Sequence, residues 1–102
     1  MPYAIRPKAK EDLSKIADYT FDNWGPEQEE LYLRMLQRAL ESLSDNPTLG
    51  RPIDAVIPGL RRLLVGQHII LYFITEQFVD VARILHHSMD TTRDSNELEI
   101  AP

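Results

Sequence analysis

The chain has 102 residues, 43% of them hydrophobic and 26% charged, and it contains no cysteine. A length of this order supports one apolar core that hides roughly two-thirds of the unfolded surface, and the missing thiols exclude a disulfide framework, a thiolate zinc site and a cysteine nucleophile. The net charge of −5 is opposite in sign to that of a typical duplex-binding domain.

Tyr3-Ala4-Ile5-Arg6 alternates apolar and polar residues and stops at Pro7, which predicts a short first strand. From Lys8 the period changes. Ala9, Leu13, Ile16, Ala17 and Thr20 recur at spacings of three and four, with Glu11, Asp12, Lys15 and Asp18 between them, as in an amphipathic helix with acids in its first turns. Asn23-Trp24-Gly25-Pro26 supplies a stop and a new start, so two antiparallel helices are expected. The second helix should run from about Pro26 to Ser44, with Tyr32, Met35, Leu36, Ala39, Leu40 and Leu43 on one stripe. Trp24 reads as a packing pin at the helical turn rather than a recognition residue, and Met35 as core.

Asp45-Asn46-Pro47 ends that helix, and the loop from Thr48 to Gly59 is apolar enough to pack on the fold. Three strands are then expected, Leu60 to Val65, His68 to Thr75 and Phe78 to His86, joined at Gly66-Gln67 and Glu76-Gln77. The run Ile69-Ile70-Leu71-Tyr72-Phe73-Ile74 predicts a central strand covered on both faces. The expectation is therefore an α+β domain over residues 1–88, ordered β-α-α-β-β-β, with a curled, mostly antiparallel sheet against a helical hairpin. Residues 89–102 read as a polar tail that orders, if at all, on a partner. No segment reads as a signal peptide or a membrane span, so a cytoplasmic protein without membrane contact is expected.

Charge is uneven. Residues 1–50 hold six Lys/Arg against nine Asp/Glu, residues 51–88 four against three, and residues 89–102 one against four. Any surface that meets an anion should lie in the middle segment, around Arg51, Arg61, Arg62 and Arg83.

In this order the elements and their motifs resemble the RelE/ParE superfamily of type II toxin–antitoxin systems, and the ParE type within it. The residues that carry the likeness are Arg6-Pro7-Lys8-Ala9, Asp12-Leu13, Ile16-Ala17-Asp18-Tyr19-Thr20, Trp24-Gly25, Asn46-Pro47 and Gly50-Arg51-Pro52. Pro58-Gly59-Leu60-Arg61, His68-Ile69-Ile70-Leu71-Tyr72, Arg83-Ile84-Leu85-His86 and Met89-Asp90 continue it. The resemblance implies a toxin that binds and poisons DNA gyrase and is neutralised by a cognate ParD-like antitoxin. Operator DNA would be bound only through the antitoxin complex, and no cofactor or metal is implied.

RelE-like relatives are instead ribosome-dependent messenger ribonucleases, whose chemistry needs a base, clustered cations and a general acid. The resemblance places Arg61 and Arg83 at matching positions, but the loop before Arg61 carries Asp54 and no lysine, and Met89 stands where a tyrosine would be expected. No catalytic residue is therefore expected, with the ribonuclease as the alternative, alongside a degenerate toxin that still binds antitoxin and a binding module unrelated to toxins.

The partner- or target-binding residues expected on the basic sheet edge are Arg61, Arg62, Arg83 and His86. Arg61 and Arg83 are expected close together on neighbouring strands, free to grip an anion or else tied to Asp54, Glu76 or Asp80. Adjacent His86 and His87 should point to opposite faces unless the strand ends between them. A metal site using them with His68 or Asp90 lacks helical ligand spacing and is not expected.

Overall fold

A computed structural model describes residues 1–89 and 98–101. The strand β1 (Tyr3–Ile5) leads through Pro7 into α1 (Pro7–Trp24), and Gly25 turns the chain into α2 (Pro26–Asp45). Gly25 sits at φ 87, a backbone region open to glycine, and Pro26 starts α2 where no intrahelical N–H is needed. Because α1 begins at Pro7, Glu11 and Asp12 fall beyond its first turn.

A 3₁₀ turn (Pro47–Leu49) and a two-residue strand β2 (Arg51–Pro52) occupy the segment expected to be loop, and β3 (Arg61–Val65), β4 (His68–Ile74) and β5 (Val79–His86) follow. The order is thus β-α-α-β-β-β-β. The sheet runs β1-β5-β4-β3-β2; β1 is parallel to β5, and the remaining pairings are antiparallel. The extra strand β2 was invisible to periodicity because two residues contain no period.

The α1–α2 hairpin covers one sheet face. Ala9, Ile16, Leu36, Leu40 and Leu43 meet Ile70, Tyr72, Val79, Val81 and Ile84 there. The opposite face is closed by Ile57 and Leu60 from the long loop and by Leu98 and Ile100, against Ile69, Leu71, Ala82 and Leu85. The central β4 is therefore covered on both sides from Ile69 to Tyr72, while Ile74 at its end is exposed. Leu98 and Ile100 correct the expectation of a tail that orders only on a partner: two apolar side chains are enough to fill the end of the second core. Residues 90–97 lie outside the described set, as does Asp90 with the metal reading that used it.

A register shift at Leu71/Tyr72 pairs Leu71 with Arg83 and Tyr72 with Val81, leaving Ala82 as the extra residue of β5. Pairing of β1 with β5 ends at Ile5 and Val81, and Arg6 N–H closes it onto Val81 O at 3.0 Å. Beyond that point no strand among the described residues lies outside β5. Asp12 on α1 takes over, accepting the Ile84 N–H at 3.0 Å, so a helix side chain completes the strand edge.

Candidate functional site

The sequence-selected arginines meet three different fates. Arg83 is buried, and its Nε and Nη2 donate to the two Asp12 oxygens at 2.7 and 2.9 Å, a bidentate fork, while Nη1 donates to Leu98 O at 2.5 Å. The hydrogen bonds it donates to Asp12 hold its pKa above the ordinary value despite burial. Asp12, rather than Asp54, Glu76 or Asp80, is the partner. Arg6 takes Asp80, at 2.8 Å, and Asp54 accepts the Gly59 N–H.

Arg61 donates from Nε to Gly50 O at 2.9 Å and from Nη2 to Thr48 O, tying the turn after α2 to the sheet. Tyr72 closes the same corner, donating to Pro47 O at 2.7 Å and accepting the Gly50 N–H at 2.9 Å. The corner admits no side chain at position 50, where a Cβ would stand 2.6 Å from Arg62 O and from the Tyr72 hydroxyl.

Arg61 and Arg83 are not on neighbouring strands; β4 separates them, and the register places Arg61 opposite Tyr72 on the helix-covered face. Arg62 shares a cross-strand row with Arg83 instead, each opposite Leu71 from its own side. The expected common basic edge is therefore not assembled. The bulge in β5 and the pull of Asp12 carry the Arg83 guanidinium away from it.

His86 stands at the end of β5, exposed, with Nδ1 accepting the Ser88 N–H at 3.2 Å and lying 2.8 Å from Ser88 Oγ. Because the strand ends here, the His86 and His87 rings come together, tilted by 30° at 4.6 Å, and His86 also meets His68 edge to face at 5.4 Å. Tyr32 from α2 reaches His68 Nδ1 at 2.6 Å while accepting the Gln67 N–H at 3.0 Å. Burial, and then the charges of His86 and His87, push the His68 pKa below its ordinary value. Burial raises the Tyr32 phenol. Among the described residues no set of three His, Asp or Glu side chains is placed to hold a metal ion.

These groups line a groove of about 870 Å³ between α1, the start of α2 and the end of β5. Ile16, Tyr19 and Trp24 form one wall, Tyr32 and His68 the other, and His86 and Met89 stand at the mouth. Tyr19 and Trp24 pack edge to face at 5.7 Å, yet each is 61% exposed. Trp24 is thus a groove wall and not a packing pin, and Met35 is likewise exposed rather than core. An aromatic pair left this open, beside a mostly apolar trough, is built like the surface of a binding site. Sequence reasoning missed the groove because its walls come from α1, α2, β5 and the start of β4, which no local pattern links.

Among the described residues no helix is long and apolar enough to cross a membrane. The family model described as "ParE toxin of type II toxin-antitoxin system, parDE" matches residues 3–91. Toxin ParE1 of Mycobacterium tuberculosis (strain ATCC 25618 / H37Rv) is 43% identical over 93 residues, covering 90% of this chain and 95% of that protein. Toxin ParE1 of Caulobacter vibrioides is 36% identical over 89 residues, covering 87% and 92% respectively. Among solved structures, the chromosomal ParDE system from P. aeruginosa superposes with a TM-score of 0.73 at 23% identity, over 84% of this chain and 95% of that one. The toxin–antitoxin complex RelBE2 from Mycobacterium tuberculosis gives 0.60 at 24% identity, over 85% and 100%, and both likenesses bear on the fold. With its fold and nearly its whole length accounted for in this way, the chain belongs to the ParE toxin family of type II toxin–antitoxin systems.

Proposed function

We propose that this ParE-family protein acts in the cytoplasm by binding and poisoning DNA gyrase, without an active site of its own, and that a ParD-like antitoxin silences it by laying a segment into the α1–α2–β5 groove. The observation that carries the non-enzymatic reading is the state of Arg83. A ribonuclease of the related type needs a free cation at this place to meet the phosphorane, and here the Arg83 charge is paired with Asp12, with three of its five N–H donors held by Asp12 and Leu98 O. Arg61 is similarly engaged by carbonyls. His86, the remaining candidate acid, has its Nδ1 tied to Ser88.

The groove supports the antitoxin reading through its chemistry. Tyr19 and Trp24 offer large apolar area at low entropic cost, and a chain that folds as it binds gains most from such preformed troughs. Operator DNA is then bound through the antitoxin, in keeping with the acidic net charge of the toxin. Induced expression without antitoxin tests the reading: filamentation with a DNA-damage response is expected. Growth arrest with rapid loss of messenger and no damage response would overturn it in favour of the ribonuclease.

A further inference from the structure

Arg6, Arg34 and Arg83 each close a salt bridge, to Asp80, Glu30 and Asp12. Arg51 and Arg62 do the reverse. The β2–β3 register lays them directly opposite each other, two cations where an antiparallel pair brings Cβ atoms to within about 4.5–5.5 Å. Neither has a salt-bridge partner among the described residues, and Arg62 Nε is buried with no hydrogen-bond acceptor. Burial, and then the charge of Arg51, depress the Arg62 guanidinium from its ordinary value. Like charges placed opposite each other cost stability, and a buried unpaired donor costs more. Nothing within the described fold offsets either cost, so the arrangement points outward, to an anion.

The surroundings select the kind of anion. Arg62 lies opposite Leu71, on the sheet face away from the helices, and Leu64 lies on the same face two residues along β3, opposite Ile69 and 60% exposed. Residues i and i+2 of a strand stand about 6.6–6.8 Å apart on one face. A facing extended peptide has the same repeat, so an acidic residue over the arginines sets the residue two positions on over Leu64. A polyphosphate backbone fits less well: two forks neutralise few phosphates, and the chain carries a net charge of −5.

We propose that Arg51 and Arg62 are the seat for a side-chain carboxylate of the antitoxin, borne on an extended segment whose next same-face residue is apolar and covers Leu64. This second anchor, away from the groove, rests on the reading of the chain as an antitoxin-held toxin. It does not depend on gyrase.

The test is the affinity of the full-length toxin for its purified antitoxin at low and high salt, for wild type, Arg62→Met and the double variant Arg51→Met/Arg62→Met. Methionine keeps an apolar stem and removes no bond that the fold uses, and thermal melting checks that each variant is folded. A rise in Kd of about tenfold to a hundredfold for the double variant, with a shallower salt dependence, is expected. Arg62→Lys should recover only part of it, because an ammonium cannot form the fork. Unchanged affinity and salt dependence would overturn the proposal. So would loss of binding to a 20-base-pair DNA duplex with antitoxin affinity intact, which would make the seat a phosphate site. A wild-type toxin that fails to bind the antitoxin at all would remove the partner and the seat together, whereas one that binds it but leaves gyrase untouched would remove only the gyrase reading.

Discussion

Arg62 and Arg83 flank the same residue, Leu71, from opposite sides, two strand spacings apart, and they are treated in opposite ways. Outside Arg83 the strand β1 has ended, and α1 brings a carboxylate that takes both arms of the guanidinium and one backbone N–H as well. Outside Arg62 stands β2, whose residue in register is another arginine. One site is satisfied by its own chain and holds the fold together. The other has no salt-bridge partner among the described residues, and the proposed antitoxin carboxylate supplies one.

The two sites should therefore respond with opposite signs. Removing one partner of the buried pair, as in Asp12→Ala, should destabilise the protein by about 3–5 kcal/mol in urea unfolding, because it strands a buried guanidinium and frees a strand-edge N–H. A loss below 1 kcal/mol would mean that Asp12 is replaceable. Leu98→Ala should cost about 2–5 kcal/mol by opening the second core next to the Arg83 carbonyl contact, which separates packing from pairing at that site. Gly50→Ala should cost about 1–3 kcal/mol through overpacking beside Arg62 O and Tyr72, and a neutral result would show that the corner yields. Arg62→Met, by contrast, should leave the free protein as stable or raise its stability by about 0.2–1 kcal/mol, since a like-charge pair disappears.

The smallest effect concerns pH. His68 has a folded pKa below its ordinary 6.5, so the unfolded chain binds the proton more readily. Its contribution to stability is complete above about pH 6.5 and is lost as the pH falls through the depressed folded value. His68→Gln should flatten this part of the stability profile, and an unchanged slope would show that His68 does not carry it.

Much of the fold was legible because its signals are repetitive. The helical spacings from Ala9 to Thr20, the Gly25-Pro26 junction and the apolar run of β4 each repeat one physical preference over many residues. The Arg83 partner was also legible in principle. Asp12 falls three residues after Ala9 and four before Ile16, on the buried stripe itself, and a carboxylate on an apolar stripe demands a cation. In the sequence it is hard to tell from its neighbours Glu11 and Asp18, which the structure leaves exposed. What could not be read were features that depend on register: the Ala82 bulge, the Arg51–Arg62 opposition and the groove shared by α1, α2, β4 and β5. A shift of one residue in any strand would have dissolved each of them.

The central claim is that this ParE-family toxin works by binding rather than by cutting. Purified toxin incubated with gyrase, ATP and plasmid, then treated with detergent and protease, tests it most directly. Linear DNA that accumulates with toxin and disappears on adding antitoxin is the predicted result. No gyrase-dependent cleavage, together with messenger cut on programmed ribosomes in an Arg83-dependent manner, would contradict it.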